Sequence, residues 1–160
     1  YTLSLQDALP IFGERDYTSK ALLKNALSKF NFTFRKKSLE QPIYAGDIIQ
    51  AINNDIKKQL NGKTTPTGIK ILAGMEVLTR EDLIKKIAET VGVRVKVFTI
   101  PLSFGITLAW VFEKVFADPP ITRDMLGVLD HDDNVDPKPT CKQLGIELTP
   151  LEEVLKTTMA

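Results

Sequence analysis

Cysteine and histidine are scarce in this sequence, with one of each in 160 residues. The single thiol, Cys141, excludes an internal disulfide and a thiolate metal cluster, and such scarcity is typical of a reducing compartment. Net charge is also small, because 21 basic and 20 acidic residues leave +1 at pH 7. A chain so close to neutrality has no strong overall field to hold nucleic acid or an anionic membrane. We therefore expect no nucleic-acid partner, and partners that are recognised by shape.

Long hydrophobic runs are also missing. The longest stretch without a charged residue covers residues 97–112 and is interrupted by Pro101 and Gly105, whereas a spanning helix needs ~20 apolar residues. The beginning of the chain has neither a basic leader followed by an apolar core nor an Arg-rich presequence. Residues 1–11, from Tyr1 to Ile11, instead resemble a translated sequencing adapter. We predict that they contribute nothing to the fold and that the native sequence starts near Phe12, with an upstream half missing.

The glycines do not form a phosphate-binding loop. None of the 9 glycines has the G-x-G-x-x-G spacing that brings backbone amides to a pyrophosphate. Gly62-Lys63-Thr64 resembles the end of a P-loop, but Lys57 stands where that motif requires glycine. No Tyr-x-x-x-Lys pair exists either, so these residues cannot supply the hydride-transfer chemistry of that dyad. We predict no catalytic residue in the chain and no cofactor bound by the chain alone.

One acidic segment invites a metal interpretation. His131 lies among Asp130, Asp132, Asp133 and Asp136. Their spacing does not match the calcium-loop pattern, which needs glycine at its sixth position and a distal glutamate. We therefore interpret the segment as a solvated loop that follows a helix, and we predict no metal site.

Hydrophobic periodicity predicts helices that alternate with short strands. The predicted helices cover residues 18–30, 47–60, 79–91, 102–116, 121–129 and 151–157, and the predicted strands cover residues 31–35, 69–73 and 93–97. The residues from Thr79 to Asp82 form a variant capping box, and Gly62 and Gly92 are well placed to end helices. Strands separated by crossover helices pair in parallel, so we predict an α/β fold. Because parallel sheets are normally covered on both faces, three or four short strands indicate that part of the sheet is absent.

The helix predicted to begin at Leu102 and end at Phe116 is apolar over most of its circumference. Packing in a core is one interpretation. The other is that one face contacts a partner protein or the surface of a bilayer, since contiguous exposed apolar area marks such contacts.

Three segments, in the same order along the chain, resemble one family. Residues 11–16 (IFGERD) look like the I-F-G-x-x-D segment that follows the strand beside the nicotinamide in atypical extended short-chain dehydrogenases. Residues 41–48 (QPIYAGDI) resemble that family's Q-P-V-Y-V-x-D-V segment. Residues 120–124 (PITRD), 144–146 (LGI) and 149–152 (TPLE) are similar to the C-terminal signature of the family's accessory subunit of respiratory complex I. The resemblance covers residues 11–155.

This resemblance implies an extended Rossmann-type fold with a parallel sheet. Residues 12–78 are then the C-terminal remnant of the Rossmann domain, and residues 79–160 form a small, mostly helical C-terminal subdomain. It further implies a protein that binds NADPH through its N-terminal half without turnover. Such a protein stabilises complex I, with other complex I subunits as partners and Leu102 to Phe116 as a possible membrane-surface contact. The implied location is the matrix side of the mitochondrial inner membrane, or in bacteria the cytoplasm or the cytoplasmic membrane face.

Residue roles follow from the matching segments. Phe12 and Gly13 correspond to positions near the nicotinamide, and they are the only cofactor-binding residues that the resemblance places in this chain. Four residues of the second segment, Gln41, Pro42, Tyr44 and Asp47, have structural interpretations: Asp47 caps a helix and Tyr44 packs against the sheet.

An active epimerase, dehydratase or reductase of the same superfamily is the alternative function, with a nucleotide sugar or a lipid-like substrate. A Tyr-x-x-x-Lys pair in the upstream half would favour this enzyme, whereas its absence beside a glycine loop would favour the accessory subunit. We favour the subunit, because the Ile-Thr-Arg-Asp segment at residues 121–124 and the Leu-Gly-Ile segment at residues 144–146 lie where enzymes of the superfamily vary.

Overall fold

The computed structural model of the chain describes residues 10–14, 17–62, 68–116, 118–119, 122–127 and 132–159. Within these ranges the strands are β1 (Ile11–Phe12), β2 (Phe30–Phe34), β3 (Leu39–Glu40), β4 (Ile43–Tyr44), β5 (Leu78–Thr79) and β6 (Lys96–Ile100). The helices are α1 (Tyr17–Ala26), α2 (Ala45–Leu60), α3 (Arg80–Thr90), α4 (Leu102–Val115), α5 (Arg123–Gly127), α6 (Lys138–Leu144) and α7 (Leu151–Met159).

The strands form three separate pairs. β1 pairs with β4 and β2 pairs with β6, both in parallel, whereas β3 and β5 pair in the antiparallel direction. Parallel neighbours need a long connection, and α1 and α3 lie within the connections of the two parallel pairs. The predicted α/β class with parallel strands is therefore confirmed.

Local capping signals are also confirmed. The Thr79 hydroxyl oxygen accepts a hydrogen bond from the backbone N–H of Asp82 at 3.1 Å, so the capping-box variant starts α3 as predicted. Gly62 and Gly92 follow α2 and α3 with φ angles of 69° and 73°. Glycine tolerates this left-handed conformation because it has no Cβ, and it ends both helices.

Two element predictions are wrong, the strand predicted at residues 93–97 lies instead at Lys96–Ile100, and one helix was not predicted. Residues 69–73 do not form a strand, and Ile69 is 97% exposed. An apolar run this short needs a neighbouring strand to define it, and the described residues provide none. Phe30 begins β2 instead of ending the first helix, which stops at Ala26. Helix α6 was not predicted, because its prolines conceal a helix that tolerates proline in its first turn.

The first eleven residues were predicted to contribute nothing to the fold, and this is wrong for the last two. Ile11 lies in β1 opposite Ile43, and the carbonyl oxygen of Pro10 accepts a hydrogen bond from the Ile43 N–H at 3.1 Å. Backbone pairing depends little on side-chain identity, which is why composition could not reveal it. Residues 1–9 lie outside the described part of the chain.

The main core lies where α1, α3 and α7 pack together beside β1. Its buried members are Phe12, Ala26, Leu83, Ile87, Ala88, Leu151, Val154 and Leu155. In α3 and α7 these residues recur at the three- and four-residue spacing of one helix face, so the core faces of both helices follow from their sequences. This core fixes the position of the short strand β1.

A second, smaller cluster lies between α2 and α6. Ala51, Leu144 and Ile146 are buried there, and the Cys141 thiol, whose pKa is raised by burial, packs against them. The side chains of Asn54 and Lys58 donate hydrogen bonds to the last carbonyl groups of α6. Such donors satisfy the acceptors that a helix leaves free at its C-terminal end.

The apolar stripe of α2 is largely exposed. Ile49, Ile52, Ile56 and Leu60 all lie on the surface, whereas Asp47 and Ala51 are the buried residues of this helix. An exposed stripe of this kind usually marks a contact with another segment or protein.

The fold does not establish the predicted division into two domains, and it does not establish a membrane-spanning helix. The predicted boundary between residues 12–78 and 79–160 stays a prediction, and β2 and β6 pair across it. In the described part of the chain, no helix combines the length and the hydrophobicity needed to cross a bilayer.

Candidate functional site

The carboxyl ends of β1 and β4 define the candidate site. In open α/β sheets, ligands bind outside the carboxyl ends of parallel strands. Phe12 and Tyr44 are partners in the register of this pair, so Gly13 and Ala45 follow side by side at the same edge. The structure therefore brings the IFG segment next to the segment that begins α2, although about 30 residues separate them in sequence.

The two residues predicted to bind the cofactor, Phe12 and Gly13, lie in different surroundings. The side chain of Phe12 is fully buried in the main core, so it faces away from any ligand at the strand ends. Gly13 is also buried and lies just beyond the end of β1. Contact with a nicotinamide would therefore involve the backbone at these two positions. Their cofactor role stays a prediction.

Tyr44 is the last residue of β4. Its half-buried ring contacts the main core, and it also lies over Gly46 in the first turn of α2. A Cβ atom at Gly46 would overlap the Tyr44 ring. Glycine is therefore required at this position for the ring to stay where it is.

Asp47 does not cap α2 in the way that we predicted. The N-cap residue of α2 is Tyr44, and no side chain caps the helix. The buried Asp47 carboxylate instead accepts two hydrogen bonds from Thr149, one from the backbone N–H at 2.9 Å and one from the hydroxyl at 2.7 Å. It still lies in the first turn, where a negative charge is favourable. Its main role is to join α2 to the segment before α7, 102 residues away.

Gln41 forms a second long-range connection beneath the site. Its amide nitrogen donates to the carbonyl oxygens of Gly74 at 2.7 Å and Val135 at 2.8 Å. Its amide oxygen accepts from the Val135 N–H at 2.9 Å. A Cβ at Gly74 would overlap the carbonyl oxygen of Pro42, so only glycine allows this approach. We name the set Gln41, Gly74 and Val135 the glutamine clasp.

Glu40 and Arg80 form an ion pair next to the glutamine clasp. The Arg80 Nε donates to the Glu40 carboxylate at 2.6 Å, and an Arg80 Nη1 hydrogen bond reaches the Phe34 carbonyl oxygen at 3.4 Å. Burial raises the pKa of Glu40, although Arg80 acts in the opposite direction. Asp133 and Asp132 add to the rise, because their negative charges disfavour another one nearby.

The acidic segment has structural partners. The Asp132 carboxylate accepts from the Leu39 N–H at 3.1 Å, and Asp136 accepts from the Lys138 N–H at 3.1 Å. His131 and Asp130 lie outside the described residues. Among the residues that the structure describes, no group of three or more His, Cys, Asp or Glu side chains could hold a metal ion.

Two described carboxylates close to this edge are already engaged. Asp47 is held by Thr149, and Glu40, in β3, is held by Arg80. The edge itself presents backbone groups, the Tyr44 ring and the exposed carboxylate of Glu14, which follows Gly13. Sequence reasoning missed Thr149, Gly74 and Val135, because no local pattern reports a partner that lies 33 to 102 residues away.

Replacing Asp47 by alanine is expected to lower the free energy of unfolding by roughly 2 to 3 kcal/mol, because two hydrogen bonds to a buried carboxylate disappear. Asp47→Asn keeps one acceptor oxygen and should lose less. Urea denaturation of both variants, with Thr149→Val as a partner control, measures the difference. Wild-type stability in Asp47→Ala would show that the connection to Thr149 contributes nothing.

The sequence matches no protein-family model and no curated protein. The fold, however, is similar to solved structures. The crystal structure of gox2253 matches with a TM-score of 0.66 and 16% identity, over 94% of this chain and 46% of that chain. The triphenylmethane reductase of Citrobacter sp. matches with a TM-score of 0.57 and 16% identity, over 88% of this chain and 47% of that chain.

These two similarities establish the fold. At 16% identity, they support a conclusion about the fold alone. The fold is Rossmann-like, as the predicted fold class stated. The chain spans about half the length of the structures that it matches.

Proposed function

We propose that this chain is the C-terminal part of an NADPH-binding protein of the extended short-chain dehydrogenase type, and that the protein is an accessory subunit of respiratory complex I. The observation that carries the first step is the site at the carboxyl ends of β1 and β4, in a fold similar to that of a known reductase. Ligands of such folds bind at this edge. The whole protein would bind the phosphates of NADPH through residues that this chain does not contain.

The chemistry of the site supports a subunit more than an enzyme. Asp47 and Glu40 are both engaged in structural contacts, and the chain has no Tyr-x-x-x-Lys pair. A general acid or base must reach the reacting atoms with a proton to give or accept. Among the described residues, the exposed Glu14 follows Gly13 at this edge, so it is the missing Tyr-x-x-x-Lys pair that favours a subunit over an enzyme.

Helix α4 supports a role in assembly. Only Gly105 and Ala109 are buried in this helix, and its exposed large side chains are Phe104, Ile106, Leu108, Trp110, Val111 and Val115. A helix that docks on one core needs an apolar stripe of only about 100°. The remaining apolar surface of α4 is the surface that we assign to the other complex I subunits. The membrane-surface contact of this helix stays a prediction.

Serine in place of Phe104 or Trp110 is expected to leave thermal stability nearly unchanged, because these side chains are 62% and 49% exposed. The same changes are expected to weaken co-purification of the protein with its complex. Ile69→Ser is the matched control, since Ile69 is an exposed apolar residue outside both α2 and α4. If the α4 variants unfold the protein and none selectively weakens assembly, α4 is buried in the whole protein and the interface lies elsewhere.

The decisive experiment is purification of the native protein from its source through a C-terminal affinity tag, in mild detergent. We expect complex I subunits to co-purify, and bound NADPH to be released on denaturation. The isolated 160-residue chain should show no saturable change in nicotinamide fluorescence, because it has no glycine loop to hold the phosphates. A protein that purifies without complex I subunits and oxidises NADPH with turnover would contradict the proposal.

An active reductase is the second candidate function. It is favoured by the similarity to triphenylmethane reductase, a protein whose name states its activity. In that case the catalytic groups would lie in the upstream half, and the edge of β1 and β4 would serve to position the substrate.

A further inference from the structure

The outer face of the β2–β6 pair carries three exposed phenyl rings. Phe32 lies opposite Phe98 in the register, and their rings stack with centroids 5.4 Å apart. Phe30 lies next to them, 6.1 Å from the Phe98 ring. On the other face of the same strands, Asn31 and Val97 are buried. We name Phe30, Phe32 and Phe98 the aromatic face.

A groove of about 490 Å³ opens at the amino ends of these strands. Its walls include the Phe30 ring and the mainly apolar segment from Gly92 to Val95. Three cationic side chains, those of Lys29, Arg94 and Lys96, also line it. No carboxylate lines the groove, and none of these cations forms an ion pair with a described residue.

We propose that the aromatic face and its cationic rim form a docking surface for an anionic phospholipid bilayer. The rim would contact the phosphate groups, and the phenyl rings would enter the boundary between headgroups and acyl chains. Surface-bound proteins use this combination of cationic and large apolar side chains. The net charge of +1 does not reveal the local excess of positive charge in this groove, which three cations and no carboxylate line.

The positive charge of the groove favours a lipid surface over other occupants. Each cation near an anionic leaflet adds to the attraction, and three lie within one groove. A second copy of this chain would bring the same three cations to the contact, where they would repel each other. The inference does not depend on the role in complex I, because it is argued from the residues of β2, β6 and the adjoining groove.

The test is partition of the full 160-residue chain onto vesicles of phosphatidylcholine, with or without phosphatidylglycerol. Binding is expected only when the anionic lipid is present, and it should weaken as salt screens the charges. Lys96→Glu should lower the partition coefficient roughly tenfold. Phe32→Ser should also lower it, because a phenyl ring no longer enters the bilayer. Near-UV circular dichroism checks that both variants keep their fold.

Two matched controls make the result specific. Lys20→Glu changes the net charge by the same amount at an exposed position in α1, and Met75→Ser removes an exposed apolar side chain outside the helices and strands. Neither should change partition.

Equal loss in the controls, equal binding to neutral vesicles, or no binding to anionic vesicles would overturn the proposal. A dimer that Phe32→Ser dissociates, with vesicle binding unchanged, would assign the face to a second copy instead. If Phe32→Ser loses its fold, the partition coefficient of Lys96→Glu, a substitution on the exposed rim, still tests the proposal.

Discussion

Replacing Phe12 by alanine is expected to destabilise the protein by about 3 to 5 kcal/mol, the usual cost of truncating a buried phenyl ring. Phe12 is fully buried, and it contacts the core that α1, α3 and α7 share. Alanine would leave a cavity that three helices enclose, and the short strand β1 gives little freedom for the backbone to collapse into it. Urea denaturation of the purified chain measures the loss.

The matched control for this substitution is Phe32→Ala, which removes the same side chain from a position that is 66% exposed. Its effect should stay below about 1 kcal/mol, because surface substitutions away from special features are usually small. Equal losses at the two positions would show that Phe12 is not a core residue. The comparison also concerns the predicted cofactor site. If the Phe12 ring supports the core, it affects a ligand only indirectly, by holding Gly13 in place.

Gln41→Leu is expected to cost roughly 2 to 5 kcal/mol, because it leaves three backbone groups of the glutamine clasp without their partner. Leucine has a similar size, so the loss reports hydrogen bonding more than packing. The affected groups are the Gly74 carbonyl and both polar backbone groups of Val135. Guanidinium denaturation monitored by circular dichroism is a suitable measurement.

The control for Gln41→Leu is Gln59→Leu, an exposed position whose side chain bonds only to Asp55 within the same helix. This change should have little effect. We also expect Gln41→Glu to be intermediate, because a carboxylate can accept from the Val135 N–H but cannot donate to the two carbonyl oxygens while it is ionised. If Gln41→Leu is as stable as the wild type, water replaces the amide and the clasp does not hold these segments.

The glutamine clasp and the Asp47 contact have a shared consequence for the site. Both join the segment that runs from β3 into α2 with distant parts of the chain. The QPIYAGD segment, residues 41–47, thus holds the carboxyl end of β4 in a fixed position. A sequence pattern that resembles a binding motif is here a set of structural contacts, and any ligand would meet the backbone that these contacts position.

The parts of the structure that were predicted correctly depend on local chemistry. The cap at Thr79 and the glycines after α2 and α3 act within one helical turn. Their effect is therefore visible in a short window of sequence. The same is true of the helix periodicity in α3 and α7, where the three- and four-residue spacing determines the face that is buried. The α/β class followed from the order of these elements.

The predictions that failed concern contacts between distant residues. In α2, the structure leaves the apolar stripe exposed and buries Asp47 and Ala51 instead. In β2, the alternating pattern could not tell which face is covered, and the structure covers Asn31 while Phe32 is exposed. Periodicity defines which residues share a face, but only the neighbouring elements decide whether that face meets a core.

The sequence alone therefore determined where most helices begin and end, the parallel α/β class and the absence of a phosphate-binding glycine loop. Only the tertiary structure decided that Phe12 belongs to the core, that Asp47 holds Thr149 and that Gln41 joins three segments. The physical reason is distance along the chain. A cap or an apolar stripe acts over a few residues, whereas a buried hydrogen bond between residues 94 or 102 positions apart forms only after the surrounding helices have packed.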